Sequence, residues 1–184
     1  MGIDEVGRGS WAGPLVAGAV ILKQPIKGLK DSKLLSRAER SRLALEIKKR
    51  SLYSSLGWVQ PAEIDRWGLT AGLRLAMERA LTNLTLDYDE IIIDGQLNFL
   101  KANPKARCLI KADQLVPCVS AASIIAKVAR DNYMIGMAQL YPAYGFDRNV
   151  GYGTKLHRAS LGQLGVTELH RRSYKPIKAL LNLK

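Results

Sequence analysis

Cysteine and histidine are nearly absent from this chain: its 184 residues include two of each, Cys108 and Cys118, His157 and His170. There is no Cys-x-x-Cys spacing and no pair of histidines at ligand spacing, so the sequence carries neither a zinc-site pattern nor a disulfide framework. A reducing, cytoplasmic setting is expected, with both histidines as surface or structural residues. Long hydrophobic runs are missing too. The longest candidate, Leu15 to Leu22, is too short to span a bilayer, and the acidic, glycine-rich N-terminus lacks the basic region of a signal peptide, so no membrane association is expected. No internal repeat, low-complexity tract or linker-like break divides the chain, and one domain over residues 1–184 with a sizeable core is the expectation. Acids are scarce: 16 Asp plus Glu stand against 28 Lys plus Arg, a formal net charge of +12. That balance favours a polyanionic partner such as nucleic acid, although charge sets association and non-specific affinity without naming a reaction.

The few acids are unevenly placed. Asp4 and Glu5 run directly into Gly7-Arg8-Gly9. On an extended strand adjacent side chains point to opposite faces, so both carboxylates reach one site only where the strand twists or ends. The glycines supply such an end and remove the Cβ atoms that would keep a sugar or phosphate from the backbone amides. Taken alone, the string is equally consistent with a strand ending in a solvated turn.

Leu15–Leu22 reads as a buried strand following the Asp4 strand through a glycine-proline turn, an antiparallel start. Ser36 is placed to cap a helix from Arg37 to Arg50 with Leu43, Leu45 and Ile47 as apolar positions and Lys48-Lys49-Arg50 as its solvated end. Ser51–Val59 reads as a strand, Pro61 opens a short helix, and Leu73, Met77 and Leu81 form one stripe of a longer helix from about Thr70 to Leu84. Glu90–Asp94 is an all-apolar β-branched run ending in an acid and Gly95, the pattern of a buried strand that delivers a carboxylate at its C-terminal edge. After an irregular loop over Asn98–Ala106, a strand over Arg107–Lys111 is again followed by an acid, Asp113. Ser120-Ala-Ala-Ser123 opens a helix continuing towards Leu140, small enough to lie close to a sheet, and a last helix is expected over Leu156–Leu164.

Asp4, Glu5, Asp94 and Asp113 thus each sit at or just beyond a strand end, where neighbouring strands would gather them. Converging carboxylates repel and are tolerable only with cations; an oxygen-rich set suits Mg²⁺ or Mn²⁺. Two such ions about 3.5–4 Å apart suit phosphodiester hydrolysis. For each acid singly, a turn or cap role remains open. Asp131 is explained well enough by an ion pair with Arg130 in its helix, and Tyr152, between two glycines, is placed either to stack on a sugar or base or to cover a core edge.

Together, Asp4-Glu-Val-Gly-Arg-Gly9-Ser-Trp-Ala-Gly13-Pro14, Asp31-Ser32-Lys33, Asp94-Gly95, Lys111-Ala112-Asp113, Ser120-Ala-Ala-Ser123-Ile-Ile-Ala-Lys127 and Gly151-Tyr-Gly-Thr-Lys155 closely resemble ribonuclease HII, in order over nearly the whole chain. The resemblance implies an α/β fold: a ribonuclease H-like mixed sheet flanked by helices, with a helical C-terminal part. It implies an enzyme that hydrolyses RNA in RNA-DNA hybrids and cuts on the 5′ side of single ribonucleotides in duplex DNA, leaving 3′-hydroxyl and 5′-phosphate ends. The family's metal-binding, catalytic acids fall on Asp4, Glu5, Asp94 and Asp113, with Mg²⁺ or Mn²⁺, two ions during catalysis, as the implied cofactor. The loop that reads the ribose 2′-hydroxyl falls on Gly7, Arg8 and Gly9, and the tyrosine that packs on the adjoining deoxyribose on Tyr152; Lys33 and Lys155 lie in matching motifs as phosphate contacts.

This chain departs from the family pattern at Ser10, where proline is usual, at Ala112, where glycine is usual, near Cys118, where an acid is common, and at Gly68, where asparagine is common. With three residues before Asp4, the first strand is expected to have little N-terminal anchoring and to fray. Two other readings compete. A ribonuclease HIII-like enzyme restricted to longer hybrids is disfavoured by the lack of an N-terminal extension, and a non-catalytic hybrid binder by four acids that a phosphate binder would not gather. The expected assembly is a monomer with no definite protein partner; Leu180-Leu-Asn-Leu183 fits a core helix or a contact.

Overall fold

The computed structural model describes residues 1–29 and 32–182. Asp31 of the Asp31-Ser32-Lys33 motif and Leu183 lie outside the described residues.

Five strands form one mixed sheet: β1 (Gly2–Val6), β2 (Leu15–Leu22), β3 (Ser51–Val59), β4 (Ile91–Asp94) and β5 (Ala106–Leu109), in the order β3-β2-β1-β4-β5. β1 pairs antiparallel with β2, as the short turn between them requires, and parallel with β4, which in turn pairs parallel with β5. The strand expected to fray is therefore the central one. Hydrogen-bonded on both sides and fully buried at Ile3, β1 is anchored by the sheet, and Met1 before it is tied to the start of β4 as well, its ammonium donating to the Glu90 carbonyl and its carbonyl accepting from the Ile92 amide, both at 2.9 Å.

Helices cover both faces. Helix α1 (Arg37–Arg50) starts where the sequence predicts, because Ser36 and Glu39 form a reciprocal capping box: the Glu39 amide donates to Ser36 Oγ at 3.3 Å and the Ser36 amide to Glu39 Oε2 at 2.7 Å. Helix α2 (Pro61–Leu81) packs its Ile64, Leu73, Ala76, Met77 and Ala80 against Ile3, Leu15, Ala17, Ile91 and Ile93 of the sheet. The short and long helices expected here are one element interrupted at Gly68, whose φ of 80° and ψ of 163° belong to a region essentially reserved for glycine. The glycine thus breaks the helix in a way that an asparagine would not readily reproduce.

On the opposite face lies α4 (Pro117–Leu140), with Ala121, Ala122 and Ile124 joining Val20 of β2 and Leu43 and Ile47 of α1 in a second core cluster. It approaches closely because both sides are stripped of bulk. A Cβ on Gly18 of β2 would run into the carbonyl of Ala122. β5 ends at Leu109 rather than Lys111, because Lys111 takes a left-handed conformation (φ 58°, ψ 34°) that turns the chain into the single-turn helix α3 (Ala112–Leu115).

The C-terminal part comprises α5 (Phe146–Asn149), α6 (Lys155–Leu164) and α7 (Lys175–Leu181). It gathers Met134, Tyr144, Phe146, Leu161, Leu169 and Ile177 around Ala12 in a third cluster, against which Leu180 also packs. Among the described residues, no helix is long and apolar enough to cross a membrane.

One apolar position of α1 was misassigned by periodicity: Leu43 and Ile47 are fully buried, whereas Leu45 is 64% exposed. Accordingly, Leu43→Ala is expected to cost about 2–5 kcal/mol through lost burial and a residual cavity, and Leu45→Ala to stay within about 0.5 kcal/mol. Equilibrium urea denaturation of the two variants checks the difference.

Candidate active site

Parallel pairing of β1, β4 and β5 aligns their C-terminal ends, and with them the acids. Asp4 lies within β1 on the face towards α4, buried, and accepts a 2.7 Å hydrogen bond from the Glu5 amide; the Ser123 hydroxyl of α4 also holds it. Ser123 Oγ is in turn 3.0 Å from Ser32 Oγ. Glu5 follows where the strand is about to end. Its side chain is only 7% exposed, Oε1 receives Arg8 Nη1 at 3.1 Å, and Oε2 is buried without a hydrogen-bond partner among the described residues. Asp94 closes β4, and its Oδ1 accepts from the Asp113 amide at 3.4 Å; Asp113 itself is buried in α3.

Asp4, Glu5 and Asp94 line one recess of about 320 Å³ together with Arg8, Lys33, Lys127 and Tyr152. Asp113 lines an adjoining recess of about 400 Å³ that shares Asp94, Arg8 and Lys33 with the first. Of the acids singled out by sequence, three thus meet in one hollow and the fourth stands next door, in contact with Asp94. A wider cleft of about 950 Å³, between α2 and the 98–104 loop, holds none of these residues.

The electrostatics are those of a site short of positive charge. Burial, then repulsion from Glu5 and Asp94, holds the Asp4 carboxyl well above its ordinary range, outweighing its hydrogen bonds. Burial also raises Glu5, against the opposing pull of Arg8. As placed, no group of three or more His, Cys, Asp or Glu side chains among the described residues is arranged to hold a metal ion. The donor set nevertheless fits a hard divalent cation: it is made of oxygen, it is anionic, and Glu5 Oε2 is a buried acceptor lacking a donor among the described residues.

The Gly7-Arg8-Gly9 turn borders the acids, with Arg8 lining both recesses. Gly7 has a φ of 94° and is buried; Arg8 and Gly9 are exposed. Two fully buried arginines brace the turn and the segment after it: Arg171, which sequence reasoning left without a role, and Arg130, which it paired with Asp131. Arg171 donates through Nη1 to the carbonyls of Gly7 (2.6 Å) and Arg8 (3.2 Å) and through Nε and Nη2 to that of Gly13 (3.1 and 3.0 Å). Arg130 donates to the carbonyls of Pro14, Ala12 and Val150 and to Ser10 Oγ. Ser10 Oγ passes the contact on to the Gly7 carbonyl at 2.9 Å, a bond that the family's usual proline could not make. Burial lowers Arg130 to about 10 and lowers Arg171 as well. Asp131, expected to pair with Arg130, instead pairs with Lys127 one helical turn back, Nζ to Oδ1 at 2.9 Å.

Tyr152 is half-buried, lines the acid recess, and has the Lys127 ammonium and the Arg130 guanidinium over its ring at 5.9 and 5.5 Å. Lys33 follows Ser32 in a 3₁₀ turn and lines both recesses. Lys155 starts α6, exposed, and lines neither. The histidines are structural, as one of the two sequence readings has it, and not on the surface: both are buried, with Nε2 atoms 3.0 Å apart.

The backbone superposes on the crystal structure of the ribonuclease H2 from Pyrococcus horikoshii OT3 with a TM-score of 0.84, at 28% identity, covering 99% of this chain and 96% of that one. The fold is therefore ribonuclease H-like. Residues 1–177 match the family model for ribonuclease HII. The chain is also 44% identical over 182 residues to the ribonuclease HII of Nitrosococcus oceani, covering 98% of this chain and 90% of that protein. It is 45% identical over 183 residues to that of Dichelobacter nodosus, with shares of 98% and 96%. The chain belongs to the ribonuclease HII family and is a type 2 ribonuclease H, a phosphodiester hydrolase.

Asp4 has a raised folded-state pKa, so between its ordinary value of 3.8 and that raised value the folded state binds more protons than the unfolded state. The stability it contributes is therefore lost as pH rises through that window. In metal-free protein, Asp4→Asn, which keeps the acceptor for the Glu5 amide, is expected to raise the melting temperature by at least about 2 °C on the alkaline side and by little in mild acid. Thermal denaturation in chelator across pH reads this; a variant less stable on the alkaline side than the parent contradicts it.

Proposed function

We propose that this chain is a divalent-metal-dependent endoribonuclease that hydrolyses RNA in RNA-DNA hybrids and cuts on the 5′ side of a single ribonucleotide embedded in duplex DNA, leaving 3′-hydroxyl and 5′-phosphate ends. The observation that carries this reading is the junction of two opposite features at one place: buried, under-compensated carboxylates and, bordering them, an exposed glycine-flanked turn beside a half-buried tyrosine.

Asp4, Glu5, Asp94 and Asp113 are the catalytic residues, and would hold Mg²⁺ or Mn²⁺, two ions at a time. When bound, such ions supply an activated water and charge stabilisation for the departing oxygen. The chain's own contribution is positioning. The 2′-hydroxyl is the group that separates RNA from DNA, and reading it through backbone atoms demands a turn without side-chain bulk and without play. Gly7 and Gly9 flank Arg8 without side-chain bulk, and the bonds from Arg171 to the Gly7 and Arg8 carbonyls, with Ser10 Oγ linking Arg130 to the Gly7 carbonyl, remove the play. Tyr152 offers its ring to the adjoining deoxyribose, close enough to the acids that a sugar on the ring would place its phosphate over them. Lys33 contacts phosphate at the recess, and Lys155 contacts the duplex further out. The net charge of +12 draws the nucleic acid in, while the acids concentrate negative charge only where cations are to be held. The protein works as a single domain, a monomer in the cytoplasm with no definite protein partner.

The test is cleavage of duplex DNA containing one ribonucleotide, with Mg²⁺ or Mn²⁺ and with the product ends mapped. Asp94→Asn is expected to lower kcat/KM by at least about 10²-fold. Metal-independent cleavage, or undiminished activity in that variant, contradicts the assignment.

A further inference from the structure

The buried histidine pair is absorbed by none of the chemistry above, yet its hydrogen bonds have only one consistent proton arrangement. The Thr167 amide, which can only donate, lies 3.0 Å from His170 Nδ1. That nitrogen therefore carries a lone pair, and a neutral His170 bears its proton on Nε2. His170 Nε2 is 3.0 Å from His157 Nε2, which must accept. His157 then carries its proton on Nδ1, 3.0 Å from the carbonyl oxygen of Tyr152, which can only accept. Reasoning from the Tyr152 end gives the same assignment, so the two ends agree without adjustment. A proton added to His157 would oppose two N–H groups across the 3.0 Å gap between the rings, and one added to His170 would sit on Nδ1 and oppose the Thr167 amide at 3.0 Å.

The surroundings enforce the neutral state. The pair sits among the rings of Trp11, Tyr144 and Phe146. Burial, reinforced by the neighbouring imidazole, pushes His170 down to about 4, and burial lowers His157 as well. Each end of the chain of bonds is tied to a substrate contact of the preceding section. One end is the Tyr152 carbonyl. The other, His170, bridges Ala12 in the backbone and precedes Arg171, whose guanidinium holds the Gly7 and Arg8 carbonyls.

We propose that His157 and His170 are positioning residues that act as a tautomer-locked strut, fixing the Tyr152 platform in register with the Gly7–Gly9 turn. Neither histidine touches substrate. Their effect is to hold the ring that does, so that the spacing between sugar platform and turn is set before the duplex arrives. The inference rests on the reading of Tyr152 as a substrate contact.

Two measurements on the full chain test it. Long-range ¹H–¹⁵N correlation spectra at neutral pH are expected to show His157 as the Nδ1–H tautomer and His170 as the Nε2–H tautomer, both neutral. An imidazolium, or the opposite tautomer at either residue, overturns the strut, and this readout needs no variant to fold. In the single-ribonucleotide assay, His157→Leu is expected to raise KM about tenfold, the effect of losing one orienting hydrogen bond, with kcat nearly unchanged. His157→Asn, whose amide can donate from the place of Nδ1, is expected to restore KM to within about threefold of the parent. An Asn variant as impaired as the Leu variant overturns the proposal. Tyr152→Ala separates the two layers. If it leaves KM unchanged, the substrate-contact reading of Tyr152 falls; if it raises KM while His157→Leu does not, the strut falls and that reading stands.

Discussion

Negative charge buried at the end of a parallel strand pair is the constraint on which this structure turns. Folding places Asp4, Glu5 and Asp94 in one hollow and Asp113 against it, a placement that opposes folding in the absence of a cation, as the raised Asp4 and Glu5 carboxyls record. Arg8 offsets it through one oxygen of Glu5, and the other oxygen has no donor among the described residues. The sheet must therefore be rigid enough to hold like charges together. It is: β1 is central, paired on both sides, and clamped between α2 and a closely approaching α4.

A second constraint answers the first. Two fully buried arginines, neither in ion-pair contact with a carboxylate among the described residues, brace the turn: Arg171 holds its Gly7 and Arg8 carbonyls, and Arg130 holds the carbonyls of Ala12 and Pro14 just beyond it and Ser10 Oγ. A buried guanidinium is costly unless most of its donors are satisfied, and backbone carbonyls largely satisfy them here, with four bonds from Arg171 and three from Arg130, whose fourth goes to Ser10 Oγ. The arginines come from α4 and from the segment before α7, so the C-terminal part is built into the underside of the N-terminal turn. The histidine strut connects the same segment to the Tyr152 carbonyl. The two elements that meet the sugars in the proposed reading, the Gly7–Gly9 turn and Tyr152, are thus tied to one buried polar framework.

Much of this was legible in the sequence, for identifiable reasons. The strands announced themselves as apolar and β-branched runs, α1 by its Ser36 cap, and the acids by their position just past apolar runs, which is where parallel strands deliver side chains to an edge. The closeness of α4 followed from Ser120-Ala-Ala-Ser123. What stayed hidden depends on pairings across long sequence separations. Arg130 sat next to Asp131 in a helix and invited an ion pair, but it points inwards to the carbonyls of residues 12, 14 and 150, while Asp131 turns to Lys127. Arg171 lay in a basic stretch indistinguishable from a solvated end. Leu45 lies in a helix whose apolar face is narrow, so its periodicity gave no warning that it faces water. The histidines lacked any spacing that would mark them as a pair, since 13 residues separate them and only the third core cluster brings their rings together.

The central claim is that the gathered carboxylates exist to receive divalent cations. Calorimetric titration of Mn²⁺ into the chelator-stripped protein, in buffers of differing ionisation enthalpy, tests it most directly, because a group held protonated by burial and repulsion must surrender its proton when a cation arrives. The account predicts saturable binding accompanied by proton release that is greater in mild acid and diminishes as pH rises. Absence of saturable binding, or binding whose proton release does not change with pH, would contradict it.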